Sequence, residues 1–352
     1  MKILLLGNSQ SSHTIKWVKG LHARGVEVIL FSFDKPNGQT IQELEGVKVS
    51  LGRYDGKVPR HYYFIRIFEL WNLYKSEKPD IVHAHFLSLY GIIRLILPFK
   101  KFFISVWGSD IFMVPRKSKI HRFLITKALR KADRIFSTSQ IMKVEIQKYV
   151  DKDVEVIPFG IDTGHFKPLQ VKKDQTVFKV GAVKSLYPIY GLDNLIKAAV
   201  TVKNRFPEIS LSIYGDGPQK ATLQSLINSL DAMDYIKLEG RVSHQDVPLK
   251  LSELDLFCNL SHEESFGVSV LEASACEVPV LVTNVGGLPE VVKDEVTGRL
   301  VKDDLESIIT IFEYCIESIQ NGVQWGVNGR KFVTENYEWE ISLDKMIKNY
   351  IE

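Results

Sequence analysis

Residues 259–274 read Asn-Leu-Ser-His-Glu-Glu-Ser-Phe-Gly-Val-Ser-Val-Leu-Glu-Ala-Ser. They follow an apolar run that is typical of a buried strand, and they lead into a run that is typical of a helix. Phe266 and Gly267 stand where this helix opens. A helix N-terminus presents backbone N–H groups and the positive end of the helix dipole, which together bind anions. The stretch therefore predicts a diphosphate site that needs no metal.

Two carboxylates in this stretch, Glu264 and Glu272, are eight residues apart. On one helix that spacing separates the side chains by about 12 Å of rise and roughly 80° of rotation. We therefore expect them to serve different parts of an extended ligand. Glu264 precedes the helix, whereas Glu272 could accept two hydroxyl hydrogen bonds from a ribose. The alternative is two solvent-facing side chains, but the helix around Glu272 is largely apolar.

The rest of the chain alternates short β-rich apolar runs with amphipathic helical runs, which predicts an α/β fold with parallel, doubly wound sheets. The strands predicted in the first half are Lys2–Gly7, Val26–Phe33, Pro79–His85, Phe102–Trp107, Arg134–Ser137 and Val154–Pro158. Those in the second half are Val177–Val183, Ser210–Tyr214, Tyr235–Leu238, Leu254–Leu260 and Val278–Val282. Helices are predicted at His13–Arg24, Tyr62–Lys75, Ile120–Lys131, Leu192–Arg205, Gln219–Leu230, Gly267–Cys276, Leu305–Ile319 and Trp339–Tyr350.

The alternation pauses at Phe159–Asp174, a polar stretch with two glycines that we interpret as the linker between domains. A chain of 352 residues is about right for two α/β lobes. We predict Rossmann-like domains over residues 1–163 and 164–336, and a C-terminal helix over 337–352 that packs back toward the first domain. Ligands of parallel sheets bind at the carboxyl ends of the strands, so function is expected in a central cleft that both domains face.

Composition places the chain among ordinary globular proteins, with 45% hydrophobic and 25% charged residues. The first ten residues are too short for a signal-peptide core, and the most apolar stretch, Tyr90–Trp107, is interrupted by basic residues and a proline. The three cysteines lie far apart without metal-ligand spacing, which favours core packing in a reducing cytosol. We therefore expect a cytoplasmic protein.

Charge divides the chain unevenly. Residues 1–168 hold 27 basic and 15 acidic residues, a net charge of +12, whereas the remainder holds 18 and 27, a net charge of −9. Residues 116–134 alone contain eight basic side chains and one acid. Such a segment attracts anionic lipid headgroups or a phosphorylated acceptor, and the alternative is a solvated helix face. Nucleic acid is not expected, because the segment has no aromatic interleaving or recognised binding module.

The motifs together resemble those of the retaining glycosyltransferases of family 4, which have the two-lobed GT-B fold. The family's Glu-x7-Glu signature stands here as Glu264-Ser-Phe-Gly, Leu271-Glu-Ala, Pro279-Val and Gly286-Gly-Leu-Pro-Glu290. The resemblance spans nearly the whole chain. Its other motifs are Arg24-Gly-Val-Glu-Val, Asp80-Ile-Val-His-Ala-His85, Trp107-Gly-Ser-Asp110, Val156-Ile-Pro-Phe-Gly-Ile-Asp162, Tyr214-Gly-Asp-Gly-Pro218 and Gly298-Arg-Leu-Val301.

The resemblance implies a role for each matching residue. Glu264 would contact the hydroxyls of the donor sugar, Glu272 the ribose, and Lys184 the departing diphosphate. Catalytic roles are thus implied for Glu264, Lys184 and Asp110. The donor nucleotide would be bound by Glu272, Phe266, Gly267, Ser265, Arg241 and Gly215. Residues expected on the acceptor side are Asn8, His13, His85 and Trp107.

Three positions depart from the family pattern. Tyr190 stands where a second cation is usual, and Arg241 could supply that charge instead. Trp107 replaces the usual histidine before Gly-Ser-Asp110, which puts a histidine interaction at that point in doubt. Glu277 replaces a glycine after the helix of the signature, and we interpret it as a tolerated change at the helix end.

The implied activity is metal-independent transfer of a sugar, with retention, from a nucleotide diphosphate donor to a glycan or lipid-linked acceptor. UDP is the expected nucleotide, no further cofactor is expected, and surface polysaccharide such as lipopolysaccharide or capsule is the expected product. The basic segment would let the protein lie peripherally on an anionic membrane. Electrostatic stabilisation of the leaving phosphate would make a covalent nucleophile unnecessary.

Three other classes of function compete with this one. A catalytically silent subunit that binds nucleotide sugar or a partner enzyme is compatible with the departures at Trp107 and Tyr190. A sugar-nucleotide epimerase can share the two-lobed fold, but it would not need the basic first lobe. A nicotinamide dehydrogenase is disfavoured, because the loop after the first strand has a single glycine, Gly7, rather than a G-x-G-x-x-G fingerprint.

Overall fold

A computed structural model describes residues 1–36, 42–54 and 60–352 of the protein. They form two compact units, Met1–Phe159 with Ser342–Glu352, and Gly160–Ile341. The division after Phe159 lies four residues before the predicted boundary at 163. The last residues of the chain belong to the first unit, where the buried hydroxyl of Tyr350 bonds His83 Nδ1 at 2.5 Å.

The first unit is built on a seven-stranded parallel sheet in the order β3-β2-β1-β4-β5-β6-β7. Its central strands β4 and β5 are buried at every residue, as expected for strands covered on both faces. The strands are β1 Lys2–Leu6, β2 Glu27–Phe31, β3 Lys48–Ser50, β4 Ile81–His85, β5 Phe102–Val106, β6 Arg134–Ser137 and β7 Glu155–Val156.

Three helices of this unit begin at a serine whose side chain caps them. Ser11, Ser118 and Ser139 each accept a hydrogen bond from a backbone N–H of the first helical turn. The helices are α1 Ser12–Ala23, α2 Arg60–Glu77, α3 Ser109–Phe112, α4 Val114–Lys117, α5 Lys119–Lys131 and α6 Gln140–Gln147. Helices α2, α5 and α6 pack into one apolar cluster with the sheet, together with a 3₁₀ turn at Gly91–Leu95.

The second unit has a six-stranded parallel sheet in the order β10-β9-β8-β11-β12-β13. Its strands are β8 Phe178–Val183, β9 Ile209–Tyr214, β10 Ile236–Gly240, β11 Leu256–Asn259, β12 Val280–Thr283 and β13 Gly298–Val301. Its helices are α7 Leu192–Lys203, α8 Lys220–Ser229, α9 Val247–Ser252, α10 Val268–Ala275, α11 Leu288–Val291, α12 Leu305–Gln320 and α13 Trp325–Asn336. The final helix of the chain is α14 Trp339–Ile351.

The predicted α/β class with two doubly wound parallel sheets is confirmed. Sequence patterns missed the edge strands β3 and β13, which have three and four residues, and the short helices α3, α4, α6, α9 and α11. They also missed α13, whose two glycines weaken its helical signal. The supposed linker is also packed, because the Ile161 N–H donates to the Tyr337 carbonyl and Phe166 is buried. The cysteines Cys258, Cys276 and Cys315 are buried and unpaired.

Among the described residues, we find no helix that combines the length and the apolar character needed to cross a membrane.

Candidate functional site

A buried ion pair lies at the carboxyl edge of the second sheet. Lys184 follows β8 directly, Glu264 lies in the loop after β11, and these two strands are neighbours in the sheet. The Lys184 ammonium pairs with Glu264 Oε2, and the two side chains are 16% and 11% exposed. The other carboxylate oxygen accepts the Ser265 N–H at 3.2 Å. Strand order therefore joins two predicted site residues that are 80 positions apart.

Two glycines hold the loops that carry this pair. A Cβ on Gly215 would lie 1.9 Å from the Lys184 carbonyl oxygen, and one on Gly286 would lie 1.8 Å from that of Glu264. Both glycines have a positive φ, +151° and +53°, a backbone conformation that residues with a side chain rarely adopt. Gly215 was predicted to bind the donor nucleotide, and the structure shows it supporting the backbone of Lys184.

The ring of Tyr190 completes the surroundings of Lys184. Its centroid is 4.4 Å from Lys184 Nζ, within the range of a cation–π contact. Burial, followed by the charge of Glu264, raises the pKa of the Tyr190 hydroxyl, so the phenol stays neutral. From the sequence Tyr190 was only a missing cation, because nothing in a linear pattern shows that its ring meets Lys184.

Helix α10 begins beside this pair, with Gly267 at its N-cap. The Gly267 carbonyl accepts the N–H groups of Val270 and Leu271. The Phe266 side chain is buried, with its ring 5.8 Å from that of Tyr337, so only its backbone lies at the helix start. Glu272 is half-buried one turn into α10. After burial itself, the charge of Glu272 is the largest cause that raises the pKa of the Cys276 thiol, to about 12.

Arg241, the predicted replacement for the second cation, follows β10 at the outer strand of the sheet. Its side chain is 84% exposed and its Nε lies 3.8 Å from Asp216 Oδ2. An exposed pair at this distance is weak, so the guanidinium could exchange Asp216 for another anion. The structure thus places Arg241 with Asp216 instead of with Glu264.

Asp110, predicted as catalytic, is fully buried in the first unit. Its carboxylate accepts backbone N–H groups from Leu87 at 2.8 Å, Trp107 at 3.1 Å and Gly108 at 2.8 Å. Burial raises the pKa of this carboxyl to about 6, while the backbone hydrogen bonds lower it. These contacts correct the expectation: Asp110 positions the loops after β4 and β5 and presents no atom to a ligand.

The residues expected on the acceptor side form a cluster of rings in the first unit. His13 stacks on Phe159 with centroids 4.0 Å apart, and Trp107 lies 6.0 Å from His13 and 4.9 Å from His85. His13 and Trp107 are half-buried, so both can contact a ligand. Asn8 instead accepts the Gln10 N–H at 2.7 Å in the loop before α1.

His85 lies behind this surface and is buried. Both of its ring nitrogens lack a hydrogen-bond partner within the part of the chain that the structure describes. Burial lowers the pKa of His85 far below its usual range, with smaller contributions from His83 and His13. The expected ligand contact of His85 is therefore replaced by a packed, neutral imidazole. The described ranges contain no group of three or more His, Cys, Asp or Glu side chains that could hold a metal ion.

Solved structures of glycosyltransferases share the architecture of this chain. The complex of Anabaena Alr3699/HepE with UDP-glucose superposes with a TM-score of 0.83 at 20% identity and covers 99% of both chains. A sucrose-phosphate synthase from Thermosynechococcus elongatus gives a TM-score of 0.84 at 18% identity, covering 99% of this chain and 98% of its own. The predicted GT-B fold of glycosyltransferases is thereby confirmed.

Family models match both units. The model of glycosyl transferases group 1 matches residues 165–332, and the glycosyl transferase 4-like model matches residues 2–139. The second unit therefore matches the group 1 glycosyl transferases and the first unit a glycosyl transferase 4-like domain, as the motifs of the chain predicted.

One curated relative is the GDP-mannose-dependent alpha-(1-6)-phosphatidylinositol monomannoside mannosyltransferase of Mycolicibacterium smegmatis. It is 29% identical over 202 residues, 53% of each protein. Another is the phosphatidylinositol N-acetylglucosaminyltransferase GPI3 subunit of Saccharomyces cerevisiae. It is 25% identical over 225 residues, 61% of this chain and 50% of the relative. These matches span about half the length of the relatives.

Proposed function

We propose that this protein transfers a sugar, with retention of configuration and without a metal ion, from a nucleotide diphosphate to an acceptor hydroxyl. The observation that carries the proposal is the pair Lys184–Glu264 beside the N-terminus of α10. An ammonium and a helix N-terminus supply positive charge for a diphosphate, and a carboxylate accepts hydrogen bonds from sugar hydroxyls. Glu272, one turn further along α10, stands where a ribose could be bound.

In the proposed reaction the acceptor oxygen bonds to the anomeric carbon on the face from which the diphosphate leaves. The bond between that carbon and the phosphate oxygen breaks, and the departing oxygen takes the acceptor proton. Lys184 and the N-terminus of α10 stabilise the negative charge that develops on the phosphate. Donors placed before the reaction act strongly where water is largely excluded, and Lys184 and Glu264 are mostly buried.

For the donor we propose a UDP-sugar, although relatives of this chain differ in nucleotide. HepE was solved with UDP-glucose, whereas the M. smegmatis relative is named as dependent on GDP-mannose. For the acceptor we propose a glycan or a lipid-linked glycan of surface polysaccharide. The half-buried rings of His13 and Trp107 support a sugar at that point, because aromatic faces pack against the apolar face of a pyranose.

Lipid-linked acceptors require the protein to reach a membrane, and we propose that the first unit docks peripherally on an anionic bilayer from the cytoplasm. The exposed side of α5 combines Lys119 and Lys127 with Ile120, which is 70% exposed. Helix α2 packs in the same apolar cluster and presents Phe64, 76% exposed, together with Phe68. Basic side chains with exposed aromatic ones match an anionic lipid surface.

Titration calorimetry in EDTA tests the donor site. We expect UDP to bind without metal more tightly than GDP, and Lys184→Ala and Glu272→Ala to weaken it. UDP-sugars should also be hydrolysed slowly when no acceptor is present. The proposed donor site is refuted if neither substitution changes nucleotide affinity, or if neither nucleotide binds. A catalytically silent subunit would then be the better hypothesis.

Vesicle co-sedimentation tests the membrane surface. We expect binding to vesicles of phosphatidylglycerol but not of phosphatidylcholine. Lys119→Ser with Lys127→Ser should weaken it roughly 30-fold at low salt, since each basic residue near the surface contributes about 1 kcal/mol. A matched control removes two exposed lysines of the second unit, Lys220 and Lys237, and should bind as the wild type does. Equal loss in both variants would refute docking through α5.

A further inference from the structure

We propose that Tyr190 is a positioning residue that holds the Lys184 ammonium in place for the departing diphosphate. The inference rests on the proposed function and adds a residue to its site. Lys184 carries a flexible chain that loses about 2 kcal/mol of rotamer freedom when it is fixed. The Tyr190 ring, 4.4 Å from Nζ, contacts the head group and restricts this chain before a ligand binds. The Glu264 carboxylate also contacts the ammonium, but its negative charge opposes the approach of a diphosphate.

Backbone contacts hold Tyr190 in the orientation that this role needs. It ends a 3₁₀ turn, Pro188–Tyr190, whose Ile189 carbonyl accepts the His262 N–H at 2.8 Å. The next residue, Gly191, lies so close to the Leu260 carbonyl oxygen that a Cβ would be 1.9 Å away. The loop after β8 thus meets the loop after β11 at both residues that flank Tyr190 in the sequence, through a hydrogen bond at Ile189 and a close backbone approach at Gly191.

A neutral ring differs from a second cation in a way that can be measured. Tyr190 attracts the ammonium without competing for the Glu264 carboxylate, and it adds no charge for the diphosphate. A lysine there would instead repel Lys184. We therefore expect the effect of Tyr190 on ligand binding to pass entirely through Lys184.

A double-mutant cycle tests this dependence. Nucleotide affinity is measured for the wild type, Tyr190→Leu, Lys184→Met and the double variant, with UDP and UMP as paired probes. Loss of a largely buried cation–π contact should weaken UDP about threefold to thirtyfold, while UMP affinity is unchanged. In the Lys184→Met background the Tyr190 substitution should have no further effect. Tyr190→Phe, which keeps the ring, should restore wild-type UDP affinity.

Tyr235→Leu is the matched control, because its ring lies 4.6 Å from the Lys203 ammonium elsewhere in the same unit. It should leave UDP affinity unchanged. Additive effects of the two substitutions, or equal losses for UDP and UMP, would overturn the inference. If Lys184→Met weakens UDP binding but Tyr190→Leu does not, only the inference fails. If neither UDP nor GDP binds the wild type, the proposed function fails and the inference falls with it. Should Tyr190→Leu not fold, Tyr190→Trp must strengthen UDP binding.

Discussion

Asp110 and Glu264 are two carboxylates predicted to be functional, each in a loop after a parallel strand, yet the structure gives them different partners. Asp110 is fully buried and accepts three backbone N–H groups in the first unit. Glu264 accepts one backbone N–H and pairs with the Lys184 ammonium in the second. Backbone partners belong to the fold, whereas a side-chain ammonium can share a ligand. The first carboxylate therefore maintains structure, and the second is available to the proposed donor site.

The largest expected effect separates these two roles. Asp110→Ala leaves three buried N–H groups without an acceptor, so it should lower the free energy of unfolding of the first unit by about 3 kcal/mol or more. Urea denaturation followed by tryptophan fluorescence would measure the loss. Nucleotide affinity at a temperature where the variant is folded should be that of the wild type. An Asp110→Ala protein of normal stability would contradict the assigned role.

Two buried histidines of the first unit, His85 and His83, make the stability of the protein depend on pH. Both are buried and neutral, with the pKa of His83 lowered to about 3, so protons bind the unfolded chain first as pH falls below 6.5. Stability is thus present above pH 6.5 and lost on acidification. His85→Phe removes one such titrating group. The free energy of unfolding of this variant, relative to that of the wild type, should therefore increase by about 2 kcal/mol when the pH falls from 7 to 5.

His83→Phe is the comparison for that substitution. His83 bonds Ser105 Oγ at 2.9 Å and the Tyr350 hydroxyl, which would both lose a buried partner. It should therefore destabilise the protein at pH 7, whereas His85→Phe should not. Chemical denaturation at both pH values checks the pair, and identical pH slopes for wild type and His85→Phe would show that His85 binds its proton as readily in the native state as in the unfolded chain.

Glu264→Gln tests the second carboxylate of the comparison, which we expect to affect ligand binding instead of stability. It removes a negative charge close to the proposed diphosphate site while keeping the shape, so UDP affinity should rise by about 1 to 2 kcal/mol, roughly tenfold, at low salt. Sugar transfer should fall, because the amide replaces an acceptor of the donor hydroxyls. Glu239→Gln on β10 removes the same charge further away and should change neither quantity. Weaker UDP binding by Glu264→Gln would argue against an anion beside Lys184.

The smallest effect concerns a third acid, Glu277, which stands where the family usually has glycine. It lies two residues after α10, just beyond the C-cap Cys276, with φ +61°, and its carboxylate lies 3.8 Å from Arg330 Nε. Glu277→Gly should raise the melting temperature through about 1 kcal/mol of relieved backbone strain. Glu277→Ala loses the same carboxylate but keeps the Cβ, so it should give no gain. Equal stability of the two variants would contradict a strained helix end.

Local patterns were sufficient to find much of the site. Residues 259–274 combine a buried strand, a loop and an apolar helix within sixteen positions, so the loop position of Glu264 and the helical position of Glu272 could be predicted. Lys184, directly after a strand, was found through the resemblance to the family, because a single lysine after a strand is not by itself a sign of a site. Asp110 was assigned wrongly, because a carboxylate after a strand looks the same in sequence whether its partners are backbone groups or ligands.

The amino-acid sequence by itself determined the α/β class, the two doubly wound sheets and the family, because these depend on periodicity and on motifs of consecutive residues. Only the tertiary structure decided which of the predicted residues meet. Lys184 reaches Glu264 because β8 lies beside β11, and the Tyr190 ring lies against Lys184 because a backbone hydrogen bond joins the two loops where Gly191 lets them approach closely. Strand order and burial arise from packing over long sequence separations, which no local pattern encodes.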